Sequence, residues 1–275
     1  MKIIAEIGIN HNGDIDVAKR LATESKDAGC DYVKLQKRCI ERCYTKEDLA
    51  AVCESPWGDT VADKVYGREL SWDQIAEFDT HCRDIGIEWT ASCFDSQSLN
   101  ELHEKYPDRP FNKVASCMAL SFDYLIKIAL EKKLAIISTG LNKEKQITKI
   151  VNLFHETNCP FVVNHCVAQY PAKPEQLNMN FIHNLFTYYG CHMMDGVGYS
   201  SHDVGFAGCV VAASMNAQWI EKHVTLDQSM YGADQDSSME MYDLRKLVKL
   251  LREIELSLGK CKKVLTGDEK VPVKA

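Results

Sequence analysis

Short runs rich in β-branched and apolar residues alternate along this chain with longer segments in which apolar residues recur three or four apart, and that rhythm limits the possible folds most tightly. Runs at residues 3–9, 31–36, 87–92, 111–116, 135–140, 161–166, 196–201 and 218–223 read as strands. Between them "DVAKRLATESKDAG", "LSFDYLIKIALEKK" and "KQITKIVNLFHETN" have helical spacing. "SWDQIAEFDTHCRDIG" adds a start and a stop, with Ser71 as N-cap, Gln74 three residues later and Gly86 at the end. Eight such alternations fill most of the 275 residues, and one α/β barrel typically uses about 250. The pattern therefore predicts a closed (β/α)8 TIM barrel in a single domain over residues 1–260, with 261–275 as a tail, rather than an open doubly wound sheet. The one long connection, about 37–70, is polar and carries Trp57 and Tyr66. It is either a lid or a decorated surface loop.

Composition excludes several other classes. No apolar run approaches the roughly 18 residues of a membrane span. Glu6 interrupts the N-terminal apolar stretch where a signal peptide would continue, so a cytoplasmic protein is expected. The 12 cysteines are scattered and show no paired zinc-binding spacing, which predicts reduced, mostly structural thiols. A net charge of −7 argues against a nucleic-acid surface.

In a barrel of this kind the active site lies at the C-terminal ends of the strands. Those ends are unusually polar here: Glu6 within the first run, Lys34 and Gln36, Ser92, Lys113 and Ser116, Ser138 and Thr139, His165, Ser200 and His202, then Glu221 and His223. Burying so many polar groups without partners would cost several kcal/mol each, so their convergence on a charged ligand is the simpler account. Lys34 and Lys113, with the hydroxyls of Ser92, Ser116, Ser138 and Ser200, suit an anion such as phosphate. His202 and His223 end adjacent strands, where two neutral imidazoles can share one divalent metal. Glu6, Glu221 and Asp234 are carboxylates available for proton transfer or for binding hydroxyls. His165 lies in an apolar run, which favours a hydrogen-bonded core residue, and Lys222 is expected to point away from the barrel mouth.

The stretches "AEIGINHNG" (5–13), "VKLQ" (33–36), "IISTG" (136–140), "HCVAQYP" (165–171), "GYSSH" (198–202) and "IEKHVTLD" followed by "GAD" (220–234) resemble the N-acetylneuraminate (sialic acid) synthase family, the phosphoenolpyruvate-dependent synthases of nonulosonic acids. The resemblance runs in order over nearly the whole chain. It implies a barrel that condenses phosphoenolpyruvate with an open-chain N-acetylmannosamine-like aldose and releases phosphate. It also implies a divalent metal, manganese first with magnesium or cobalt as alternatives, and a homodimer. Carried over by position, it makes His202 and His223 the metal ligands and Glu6, Lys34, Lys113 and Glu221 the catalytic set. Phosphoenolpyruvate falls to Lys34, Ser92, Lys113, Ser116, Ser138 and Ser200, and the acceptor sugar to Gln36, Tyr170 and Asp234, with Glu6 and Glu221 beside it.

The chain departs from the family pattern at Ala168 (usually Asn), Met118 (Glu), Ser92-Cys93 (Thr-Pro) and Ser201 (Asp). It also ends in "GDEKVPVKA", where the resemblance places the family's linker to a C-terminal antifreeze-like domain, so no counterpart is expected in these residues for the Arg which that domain sets over the sugar. These departures bear on the sugar more than on the reaction. Two other functions are compatible with the same residues: a metal-dependent barrel lyase or aldolase that does not use phosphoenolpyruvate, and a non-catalytic binding homologue.

Overall fold

The computed structural model describes residues 1–190 and 194–259, so the expected tail at 261–275 lies outside the described residues. Among these, eight parallel strands form the barrel: β1 (Lys2–Gly8), β2 (Tyr32–Lys37), β3 (Glu88–Cys93), β4 (Asn112–Val114), β5 (Ala135–Ser138), β6 (Phe161–Cys166), β7 (Met194–Ser201) and β8 (Trp219–Thr225). Each pairs with the next, and β1 closes the sheet on β8, setting Ile4 beside Glu221 and Glu6 beside His223. Eight helices surround it: α1 (Ile15–Asp27), α2 (Trp72–Ile85), α3 (Ser96–Lys105), α4 (Phe122–Glu131), α5 (Glu144–Glu156), α6 (Phe181–Tyr189), α7 (Ala207–Ser214) and α8 (Met241–Leu258).

The alternation of side chains along a strand explains both the core and the site. Outward-facing residues such as Ile3, Ala5 and Ile7 join the large apolar layer under the helices. Inward-facing Ile4, Phe111, Ile136, Val162 and Trp219 form a separate cluster that plugs the lower barrel, with Tyr32 packed against it. Two residues further along the same rows, apolar gives way to polar: Ile4 to Glu6, Tyr32 to Lys34, Phe111 to Lys113, Ile136 to Ser138, Trp219 to Glu221. The barrel is therefore dry below and charged above.

Helix signals read from the sequence are realised locally. Ser71 and Gln74 form a reciprocal capping box at the start of α2, and Gly86 ends it in the left-handed region at φ +70. Asp14 caps α1 by accepting from the amides of Asp16 and Val17. β4 is shorter than expected, ending at Val114, and Ser116 sits in the turn that leads to a short 3-10 helix, Met118–Leu120.

Residues 37–70 are not an irregular loop. They hold helices at Ile40–Cys43, Lys46–Ala50 and Val61–Gly67 and a hairpin of Val52–Ser55 with Gly58–Thr60. Thr45 and Thr60 each head a capping box. Trp57 packs so closely on Gly67 that a Cβ there would overlap its ring, and its other side meets Tyr231, in the loop after β8, at 5.6 Å between ring centroids. No described helix is long and apolar enough to cross a membrane, and the cysteines among the described residues are free.

Candidate active site

A cavity of about 290 Å3 opens at the C-terminal end of the barrel, lined among others by Glu6, Lys34, Gln36, Ser92, Lys113, Ser116, Ser138, Tyr170, Ser200, His202, Glu221 and His223. Of the expected site residues only Asp234 is absent from this lining, and it stands behind His223 with its carboxylate 3.8 Å from Nδ1. A larger depression of about 530 Å3 lies at the other end, by the start of β3, where Arg109 is already engaged by Asn112 and Glu131.

The cavity floor is a chain of alternating charges. Lys34 Nζ lies 2.6 Å from Glu6 and 4.0 Å from Glu221, and Lys113 Nζ lies 3.3 Å from Glu221. Each ammonium also donates to a hydroxyl at 2.9 Å, Lys34 to Ser92 and Lys113 to Ser138, and Ser200 donates to Glu221 at 2.7 Å. All four charged residues are buried. Burial alone would raise the Glu221 pKa, but Lys113 and Lys34 outweigh it and hold the group below the ordinary carboxylate range. Burial lowers the Lys113 pKa, with Glu221 opposing it. The floor thus carries two desolvated cations whose present partners are this protein's own carboxylates.

β1 delivers Glu6 through an irregularity in its pairing with β2 between Glu6 and Gly8. Gly8 has φ +59, and a Cβ there would stand 3.2 Å from Gln36 Nε2, 3.3 Å from Glu6 Oε1 and 3.6 Å from His223 Nδ1. The motif residues after it are structural. Asn10 donates to the carbonyl of Val224 and to Ser238, and Asn12 donates to the carbonyl of Tyr231, tying the β1 loop to the loop after β8.

His202 and His223 come together at 5.3 Å between ring centroids, with Tyr170 over His202 at 4.0 Å. The Nδ1 of His202 is 2.6 Å from the carbonyl of Val167, so it carries the proton and leaves Nε2 as the ligating atom. Burial and the neighbouring His223 push His202 down to about 3, keeping it a neutral imidazole. His223 Nδ1 is buried without a hydrogen-bond partner. A neutral His202 beside His223, whose Nδ1 is orphaned, suits a divalent metal. No group of three or more metal-binding side chains occurs among the described residues.

Several other residues resolve by position. His165 faces the helix layer, its Nε2 at 2.6 Å from the carbonyl of Leu177, and is a core residue as expected. Thr139 donates to the carbonyl of Asn164 and takes no part in the cavity. Ser116 lines the cavity while accepting from the Gly140 amide at 3.0 Å. Lys222 points out of the barrel but stays buried, donating to Ser201 at 2.9 Å and to the carbonyl of Asp203. Ser201 therefore belongs to that outer network and not to the metal site. Met118 packs on the core, Cys93 is buried among apolar neighbours, and Ala168 is the one departure that lines the cavity besides Ser92.

Sequence reasoning missed Arg38, whose guanidinium lies 3.8 Å over the ring of Phe94, a cavity residue, and donates to Gln36 Oε1 at 2.6 Å. Its position was legible, since Lys34, Gln36 and Arg38 continue one period-two row, but its stacking on Phe94 was not.

The chain resembles known proteins in sequence and in fold. The NeuB family matches residues 21–263. The chain is 35% identical over 259 residues to the N-acetylneuraminate-9-phosphate synthase of Mus musculus, covering 94% of this chain and 71% of that one. It is 30% identical over 263 residues to the N,N'-diacetyllegionaminic acid synthase of Campylobacter jejuni, covering 94% and 77%. The N-acetylneuraminic acid (sialic acid) synthetase of Leptospira borgpetersenii, crystallised in complex with citrate, superimposes with a TM-score of 0.84 at 28% identity, over 96% of this chain and 87% of that one. By the extent of these matches and the barrel it shares with them, the chain belongs to the NeuB family, whose named relatives here are acid synthases.

Proposed function

We propose that this protein is a cytoplasmic synthase that condenses phosphoenolpyruvate with an N-acetylmannosamine-like aldose, giving a nonulosonic acid and inorganic phosphate. The observation that carries this reading is the buried row Glu6, Lys34, Glu221, Lys113 beside the adjacent pair His202 and His223. A phosphate and a carboxylate on one small donor compete with Glu6 and Glu221 for the two ammonium groups, and Ser92, Ser116, Ser138 and Ser200 add hydroxyls around it. Gln36 and Tyr170 face the remaining space on the acceptor side, with Asp234 behind His223.

C3 of the donor attacks the aldehyde carbon, forming the new C–C bond. Water adds at C2, and the tetrahedral centre expels phosphate by C–O cleavage. One water proton ends on the new hydroxyl and the other on phosphate. Glu221, held ionised by the lysines, accepts hydrogen bonds from hydroxyl groups and takes no net proton. Glu6, at the cavity wall between Lys34 and Gln36, handles the attacking water or the nascent hydroxyl. Both lysines hold the donor in line. A divalent ion, manganese in this proposal, would be held by His202 and His223 and supply Lewis-acid polarisation of the aldehyde oxygen. The working unit is a homodimer. The exposed apolar residues on and before α4 (Leu120, Phe122, Ile126, Leu130) offer a face for it. Sedimentation of the wild-type chain reads the assembly directly, and a monomer would remove it.

Manganese titrated calorimetrically into metal-free protein tests the site. One ion per chain should bind, and His202→Ala or His223→Ala should remove both that binding and turnover while the barrel stays folded. Unchanged turnover of either variant in chelator-treated buffer would show that the pair is not the metal site.

A further inference from the structure

We propose that Arg38 is the positioning residue that fixes the amide of Gln36, and through it the way the acceptor sugar is read; this rests on the proposed function, in which Gln36 faces the acceptor. A glutamine amide can present its oxygen or its nitrogen to a ligand, and only its surroundings decide. Here the surroundings are charged on both sides. Arg38 Nη2 donates to Gln36 Oε1 at 2.6 Å, and Gln36 Nε2 donates to Glu6 Oε1 at 3.0 Å. Glu6 is in turn paired with Lys34 at 2.6 Å. Turning the amide over would set its N–H groups against a guanidinium and its oxygen against a carboxylate. The amide therefore has one orientation, with the second Nε2 hydrogen available to the cavity that Gln36 lines. The group it recognises must be an oxygen acceptor on the sugar, a hydroxyl or an acyl carbonyl.

Arg38 is itself well held. Its guanidinium stacks on Phe94 at 3.8 Å, its backbone amide donates to Glu69 Oε1 at 2.9 Å, and Nη1 lies 4.0 Å from Glu69 Oε2. Lys37 binds the same carboxylate at 2.9 Å. Glu69 stands where the 37–70 excursion returns to the barrel, so that excursion acts on the site through Arg38 and Gln36 without lining the cavity between residues 45 and 65. Nη1 is buried and makes no hydrogen bond, so the shortest directed contact of the guanidinium is the one Nη2 makes with Gln36.

The test compares Arg38→Met, which keeps an apolar contact with Phe94 but loses the donors, with Arg38→Lys, in the wild-type and Gln36→Ala backgrounds. With phosphoenolpyruvate, manganese and N-acetylmannosamine, Arg38→Met should raise the acceptor KM roughly tenfold, leave the donor KM and melting temperature unchanged, and add nothing to Gln36→Ala. Arg38→Lys should restore part of the loss. Additive effects of Arg38→Met and Gln36→Ala, or equal weakening of both substrates, would overturn the proposal. A second readout needs no turnover: the two side-chain amide protons of Gln36 in a nitrogen-15 spectrum should be distinct and slow to exchange in wild type, and should lose protection in Arg38→Met. Unchanged protection overturns the role of Arg38. Absence of phosphate release from wild type would sink the proposed reaction and leave this amide measurement to decide Arg38 separately.

Discussion

Lys113 shows how much a single buried charge is asked to do. It sits on the cavity floor with one carboxylate and one hydroxyl for company, and burial already lowers its pKa, so an arriving phosphate meets a poorly solvated cation. A charge-assisted contact of this kind contributes about 1.5–3 kcal/mol. Lys113→Ala should therefore raise the phosphoenolpyruvate KM by about tenfold to a hundredfold with little change for the sugar, measured by initial rates against each substrate. Equal losses for both would indicate a collapsed cavity. At this scale the sequence was a good guide wherever a polar residue ended an inward row, as with Glu6, Lys34, Lys113 and Glu221. It was a poorer guide where facing decides everything. Thr139 and Ser201 are as polar as Ser138 and Ser200, yet one-residue shifts turn them from the cavity to the barrel wall. Gly8 and Arg38 were missed for another reason: their roles depend on a backbone irregularity and on a stacking partner, Phe94, just after β3, neither of which a linear pattern displays.

Elements with a strong period were legible in kind and nearly so in extent. α2 begins at its capping box and ends at Gly86 as read, because cap chemistry is local. β4 was overextended by apolar and small residues that belong to a turn. The 37–70 excursion was legible only as an interruption, since its short helices depend on capping boxes and on tertiary contact with the β8 loop through Trp57 and Tyr231. It braces the rim and does not form a wall. Replacing residues 45–65 with a short Gly/Ser linker removes that brace and loosens the return leg at Glu69. The expected result is a rise of about tenfold in acceptor KM, with a smaller change for phosphoenolpyruvate, because misplacing a positioning group costs more than losing a distant contact. Full activity with strict preference for one N-acetylated sugar would show that Gln36, Tyr170 and Asp234 are set without it.

For the molecule as a whole, the count of alternations determined the architecture, because eight parallel strands with a helix after each have few ways to bury both faces other than closing on themselves. Closure then gathers residues 6, 34, 92, 113, 138, 200 and 221 from seven different strands around one opening. What the pattern could not supply is the chemical commitment of that opening, since a floor of paired lysines and carboxylates beside two histidines also suits other metal-assisted carbon–carbon chemistry. The distinguishing step is rupture of the bond between C2 and the bridging oxygen of phosphoenolpyruvate. The measurement that reads it is mass analysis of phosphate released from donor labelled with oxygen-18 at that bridge, incubated with manganese and N-acetylmannosamine or its 6-phosphate. The label should leave with phosphate, one equivalent for each sugar consumed, and nothing should be released without the sugar. Label retained in the organic acid, or phosphate released without an acceptor, would contradict the proposed reaction.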